Sequence, residues 1–177
     1  MSTVFFDVDT QRDFVEPGGA LYVPGAEAIV PQVALLNRYA AAHGIPVIAT
    51  MDAHSPQDAE FRQYPPHCLR GAPGQQKPEE TRLPGQIIVE KQVFDCFSNP
   101  ELPRILERLH ATHAVVYGVV TEICVRQAAL GLLARGIDVE VVLDAVKSLD
   151  ETQAEAFFAE LERAGGRLTT VARVTGA

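Results

Sequence analysis

Val115-Val116-Tyr117-Gly118-Val119-Val120-Thr121-Glu122-Ile123-Cys124-Val125-Arg126 is the stretch on which the fold turns. Ala114 to Val120 is a short apolar run rich in β-branched residues, the signature of a strand covered on both faces. Thr121 follows as an N-cap, its hydroxyl able to accept a hydrogen bond from an otherwise orphan amide. Ile123, Ala128, Leu130 and Leu133 then recur at roughly helical spacing up to a stop at Gly136. A buried strand thus runs straight into a helix, and Cys124 falls in the first helical turn, at the carboxyl end of the strand. By residue type alone a free cysteine is most often a small core hydrophobe. Orphan amides and the positive end of the helix dipole favour a thiolate at this position, which predicts a nucleophile instead.

The flanking sequence repeats the same alternation. Val4 to Val8 reads as a first strand that delivers Asp9 at its end, and Gln11 to Pro24 as a loop broken at Pro17-Gly18-Gly19. Ala26 to His43 carries Ile29, Val33, Leu36 and Ala40 on one helical face and stops at Gly44. Ile45 to Met51 is a second strand ending in Asp52, and Gln86 to Glu90 a third ending at Lys91. Glu101 to His110 is a helix with Leu102, Ile105, Leu106 and Leu109 inward. Beyond the central stretch, Ile137 to Leu143 is a fifth strand. Ser148-Leu149-Asp150-Glu151 reads as a capping box opening a helix to Ala164, and Arg167 to Val171 is a last short strand.

Strands alternating with helices predict a three-layer α/β/α sandwich around a mostly parallel, Rossmann-like sheet, with residues 1–177 as a single domain. Ligands of such sheets bind outside the carboxyl ends of the strands. Asp9, Asp52, Lys91 and Cys124 all fall at predicted carboxyl ends, of four different strands. Asp9 is placed to act as general base once burial raises its pKa, and Lys91 to hold that carboxylate and stabilise a thiolate. Asp7 is its weaker rival, on the same face but deeper in the strand, and Asp13 reads as a brace for the loop. Cys68 and Cys96 lack a comparable setting and read as non-catalytic.

The long segment from Ala53 to Gly85 is rich in Pro, Gly, Gln and charge, and loops of this length in a compact domain are commonly functional. It continues Asp52 with His54, Glu60 and His67, donors that suit zinc, manganese or iron. An isolated Asp-x-His means little. The strand-end position of this one and the rigid Pro65-Pro66 before His67 strengthen the metal reading, while Glu60 is its softest member. His43, His110 and His113 read as solvated residues at element ends.

Composition narrows the partners. With 23 Asp and Glu against 15 Lys and Arg, net charge −8 and no basic run, a nucleic-acid surface is not expected. No apolar run approaches membrane-spanning length, so no membrane partner is expected either. Three cysteines make a disulfide framework improbable and fit free thiols in a reducing cytoplasm. Apolar surface on the helices is compatible with a homodimer or homotetramer.

Taken in order, these segments resemble the isochorismatase-like cysteine hydrolases, and most closely their nicotinamidase/pyrazinamidase branch. Val8-Asp9-Thr10-Gln11-Arg12-Asp13-Phe14 resembles the opening V-D-x-Q-x-D-F motif, and Pro24-Gly25-Ala26 the P-G-A after it. Ala49-Thr50-Met51-Asp52-Ala53-His54 resembles the strand end with the first two metal ligands, and Pro65-Pro66-His67-Cys68 the segment with the last. Gly118 to Val125 resembles the nucleophile turn. The resemblance covers nearly the whole chain.

It implies hydrolysis of a small carboxamide, nicotinamide to nicotinate and ammonia, through a thioester on Cys124 with Asp9 and Lys91 assisting. It further implies an oxyanion hole from the backbone amides of Val120 and Cys124 and a cis peptide at Val119-Val120. Phe14 and Tyr64 become ring contacts, and a divalent metal, zinc first, is held by Asp52, His54, Glu60 and His67. Glu60 stands where many of these enzymes carry histidine, and Tyr64 where several carry tryptophan. The alternatives are a family hydrolase of another small amide or ureide, such as a carbamoyl compound, and a non-catalytic member that binds a ligand or partner.

Overall fold

The computed structural model describes residues 2–176. Its centre is one six-stranded parallel sheet of β1 (Thr3–Val8), β2 (Val47–Asp52), β3 (Ile87–Lys91), β4 (His113–Val119), β5 (Asp138–Lys147) and β6 (Arg167–Thr169). The order across the sheet is β3-β2-β1-β4-β5-β6. Helices cover both faces, as the alternating sequence predicts. Val4, Phe6 and Val8 of β1 point into one apolar core, built with α3 (Glu101–Arg108), α4 (Arg126–Leu133) and α5 (Glu151–Arg163). Phe5 points into the other, built with α2 (Val30–Ala42) and α6 (Val171–Thr175). The two-residue period of β1 feeds both layers, so this central strand is sealed from water on both sides.

The order of the strands places the site. The chain builds outward from β1 to β2 and β3, then returns to lay β4 on the free side of β1. Connections leaving β1 and β4 therefore diverge and open a crevice at their carboxyl ends. Register decides what meets there. Val8 lies beside Gly118 and also beside Thr50, and Asp52 lies beside Lys91. Gly118 has φ +121°, and a methyl group there would overlap the Val8 carbonyl. Only glycine lets β1 and β4 stay paired up to the point where the chain turns.

Several local expectations are corrected. After β4 the chain enters a single π-helical turn, Thr121–Val125, before α4 begins. Val120 takes the cap position without a side-chain hydrogen bond, so Thr121 is not the N-cap but a buried residue of the turn. The cap of α5 is Asp150, which accepts from Thr152 N and Gln153 N, and not Ser148. Between Ala26 and His43 a short 3-10 turn, Ala26–Ile29, precedes α2. The fifth strand runs on to Lys147 through a register shift opposite Val116 and Gly118. The last strand stops at Thr169, because Thr170 caps α6. A one-turn helix, α1 (Arg12–Val15), lies inside the first loop. The peptide between Val119 and Val120 is cis, as the resemblance implies. No helix among the described residues is long and apolar enough to cross a membrane.

Candidate active site

Asp9 leaves the sheet one residue after β1 with φ +50°, which ends the strand alternation and turns its carboxylate toward β2 and β3. Asp9 Oδ1 accepts from Thr50 Oγ1 at 2.7 Å. Its Oδ2 lies 2.8 Å from Lys91 Nζ, an ion-pair contact outside hydrogen-bond alignment. Lys91 Nζ also donates to Asp52 Oδ1 at 2.5 Å and reaches Cys124 Sγ at 3.7 Å. One buried ammonium therefore stands between two carboxylates and a thiol that come from four strand ends.

The environment sets the protonation of each group. Burial pushes the Asp9 carboxyl up; Lys91 opposes this, and the charge of Asp52 adds to it. Burial pulls Lys91 down, but Asp9, Cys124 and Asp52 outweigh it and keep the ammonium charged. Burial also pushes the Cys124 thiol well up; Lys91 acts against it, and the carboxylates of Asp9 and Asp52 act with it. The expectation of a resting thiolate at the helix start is thus corrected. Cys124 is buried in the π-turn, and desolvation there exceeds the opposing pull of Lys91. The resting nucleophile is a thiol beside a carboxylate of raised proton affinity, an arrangement suited to transfer of one proton.

Asp52 links this group to a second one. Its backbone is fixed by the fully buried Gln11, whose Oε1 accepts from Asp52 N at 2.7 Å and whose Nε2 donates to Asp52 O at 2.8 Å. While Oδ1 meets Lys91, Oδ2 lies 3.6 Å from His54 Nε2. Asp52, His54 and His67 offer ligand atoms within 4.8 Å of one another. Glu60 faces the same point, with Oε1 3.7 Å from His67 Nε2 and Oε2 4.0 Å from His54 Nε2. Each imidazole is oriented from behind: His54 Nδ1 donates to Asp58 Oδ2 at 2.9 Å and His67 Nδ1 to the Pro65 carbonyl at 2.8 Å. Both Nε2 atoms are then buried lone-pair sites without a partner. Orphaned imidazole nitrogens with fixed tautomers, facing two carboxylates, fit a divalent cation. Without a bound cation, burial pulls the His54 pKa down but the acidic field of Asp52 and Asp58 outweighs it and holds it up at about 9, so a metal would bind at Nε2 in competition with a proton.

Both groups open into one small cavity of about 80 Å³, through Asp9, Cys124, Asp52, Glu60 and His67. Phe14 and Tyr64 line it, with the Phe14 ring 5.5 Å from the His67 ring. Tyr64 is 37% exposed and packs edge-on to Phe94 at the mouth. Ile123 of the π-turn also lines the cavity, as do Phe94, Leu21, Val23 and Leu149, which carried no signal in the sequence, since apolar residues in loops have no period. Asp58 was legible in principle, as an acid four residues beyond a ligand histidine.

Other candidates are placed elsewhere. Asp7 does not share the pocket with Asp9. Its Oδ2 pairs with Lys77 Nζ at 2.7 Å and accepts from Asn37 Nδ2 at 2.9 Å, inside the layer under α2. Asp13 is the expected brace: its Oδ2 accepts from Cys68 N at 2.7 Å and its Oδ1 from Ala20 N at 3.1 Å. Cys68 and Cys96 are buried; burial raises both, the second to about 12. His43 and His110 are exposed. His113 is not solvated but half-buried, its Nδ1 3.3 Å from Thr3 Oγ1 and its Nε2 3.6 Å from Glu140.

Comparison with known proteins agrees with this fold. The family model described as Isochorismatase domain matches residues 3–173. The crystal structure of the Pyrococcus horikoshii pyrazinamidase in complex with zinc superposes with a TM-score of 0.90 at 31% identity, covering 96% of this chain and 99% of that one. The N-carbamoylsarcosine amidase of Thermoplasma acidophilum superposes with a TM-score of 0.86 at 27% identity over 97% of each chain. The nicotinamidase/pyrazinamidase of Mycobacterium tuberculosis strain H37Rv is 27% identical over 178 residues, 91% of this chain and 95% of its own.

Proposed function

We propose a reaction on the premise that the chain belongs to the isochorismatase domain family. It is an isochorismatase-like amidohydrolase, close to nicotinamidase and pyrazinamidase. The substrate we assign is a neutral carboxamide on an aromatic or apolar ring, of the nicotinamide type, hydrolysed to the acid and ammonia. The observation that carries this reading is Asp52, which joins the Cys124–Lys91–Asp9 group to the histidine pair at the wall of one largely apolar cavity.

The chemistry follows from the protonation states. Asp9 takes the Cys124 proton as sulfur attacks the amide carbon, and Lys91 stabilises the anion at each stage. The backbone amides of Val120 and Cys124, on the same turn, are the assigned donors to the oxyanion. The proton passes from Asp9 to the amide nitrogen, ammonia leaves, and an acyl thioester remains on Cys124. Water then adds to the thioester, Asp9 accepts its proton, and the acid departs as the thiol is restored. Asp52, His54, His67 and Glu60 would hold a divalent metal, zinc by analogy with the Pyrococcus horikoshii structure. When bound, it supplies a Lewis-acidic anchor for a substrate heteroatom.

Charge argues against the carbamoyl-type alternative. N-carbamoylsarcosine carries a carboxylate and needs a cation to meet it. Among the described residues no Arg or Lys lines the cavity, and the buried Lys91 is already matched by Asp9. A bound divalent ion would be matched by Asp52 and Glu60, leaving no surplus positive charge. The test is ammonia release over nicotinamide, pyrazinamide, maleamate and N-carbamoylsarcosine, with metal analysis of the same sample. Preference for the two neutral ring amides is expected. Preference for either carboxylate-bearing substrate overturns this choice, and no release from any of them favours the non-catalytic alternative.

A further inference from the structure

The nucleophile turn carries an acid that the reaction does not use. Glu122, two residues before Cys124, points away from the sulfur toward the segment that leads into α5. Its Oε1 accepts from both Leu149 N and Asp150 N, each at 2.9 Å. These bonds are not needed to start α5, because Asp150 already caps its first turn. What they fix is the position of Leu149, a cavity-lining side chain that is nevertheless 58% exposed. Tyr64 and Phe94, also among the few exposed large apolar side chains, stand at the same mouth. Ile123, between Glu122 and Cys124, lines the cavity as well. A single turn thus supplies the sulfur, one wall, and the clasp that holds another wall.

We propose that Glu122 is a positioning residue that sets substrate reach: its carboxylate pins residues 148–150 so that Leu149 packs on the apolar part of the substrate, away from the amide. This rests on the amidase reading for its kinetic arm only. The geometric arm is read through the thiol, with iodoacetamide as a reagent that ends near the sulfur and N-benzyl iodoacetamide as one that extends to the mouth. Glu122→Ala frees the segment. The ratio of benzyl to parent alkylation rates at Cys124 should fall about fivefold, the loss of one partial leucine contact. In the kinetic arm, KM for a ring carboxamide should rise by a similar factor, with kcat within about twofold.

Glu122→Gln keeps a carbonyl oxygen facing both amides and should restore the ratio. Leu149→Ala should reproduce the fall, and the double variant Glu122→Ala/Leu149→Ala should lose no more than either alone, because both remove one contact. An unchanged ratio in Glu122→Ala together with a lowered Tm makes the acid a structural brace and overturns the proposal. A raised ratio also overturns it, since Leu149 is then an obstacle and not a contact. If wild-type protein hydrolyses no amide, the amidase reading fails by itself and the alkylation ratio still decides the role of Glu122.

Discussion

Replacing Asp9 with Asn should drive two properties of Cys124 in opposite directions. The substitution keeps the shape of the side chain and removes one buried charge. At 3.7 Å from the sulfur, the Lys91 ammonium attracts a thiolate by about 4 kcal/mol at an effective dielectric of about 20. In the native site the Asp9 carboxylate, 2.8 Å from that nitrogen, offsets much of this and itself repels a thiolate. Asn removes both effects while Lys91 stays paired with Asp52. The thiolate therefore forms more readily, and alkylation by iodoacetamide at pH 7 should be at least about tenfold faster. Amide hydrolysis should fall by about 10²–10⁴-fold, because no group remains to take the thiol proton and return it to the leaving nitrogen. Alkylation is followed by intact mass and hydrolysis by ammonia release on the same preparation. Faster alkylation with hydrolysis intact would remove Asp9 from proton transfer. Slower alkylation would mean that the carboxylate acts on the sulfur in the opposite sense, and the electrostatic account would be wrong.

Three further outcomes are expected. The acid limb of kcat/KM should lie above the ordinary carboxylate range: burial raises the Asp9 pKa, Asp9 must be ionised to accept the proton, and activity is lost as pH falls through that value; a pH profile flat down to pH 4 contradicts this. His67→Ala should weaken zinc binding by at least about 100-fold in a competition titration with a chelating dye, yet leave Cys124 open to iodoacetamide, since His67 binds neither the sulfur nor Lys91. Lys77→Met should cost about 3–5 kcal/mol in urea unfolding by stranding the buried Asp7, and Asp7→Asn/Lys77→Met should recover part of it; additive losses in the double variant would show that the pair does not act as a unit.

The sequence by itself determined the alternation of strands and helices, and with it a sheet covered on both faces. It also placed Asp9, Asp52, Lys91 and Cys124 at strand ends. Period and punctuation are local properties, set by neighbours two to four residues apart, and one chain displays them. Tertiary structure decided the rest. Asp7 and Asp9 share a parity, yet one is neutralised by Lys77 under α2 and the other turns into the cavity. That separation depends on a left-handed backbone at Asp9 and on a loop about seventy residues downstream. The thiol's protonation could not be read from its helix-start position, because burial and the nearby carboxylates raise its proton affinity and both are properties of the packed fold. Nor could the clasp from Glu122 to Leu149 or the apolar mouth around it be read there. Such contacts join residues with no fixed spacing, and only the closing of the sheet brings them within bonding distance.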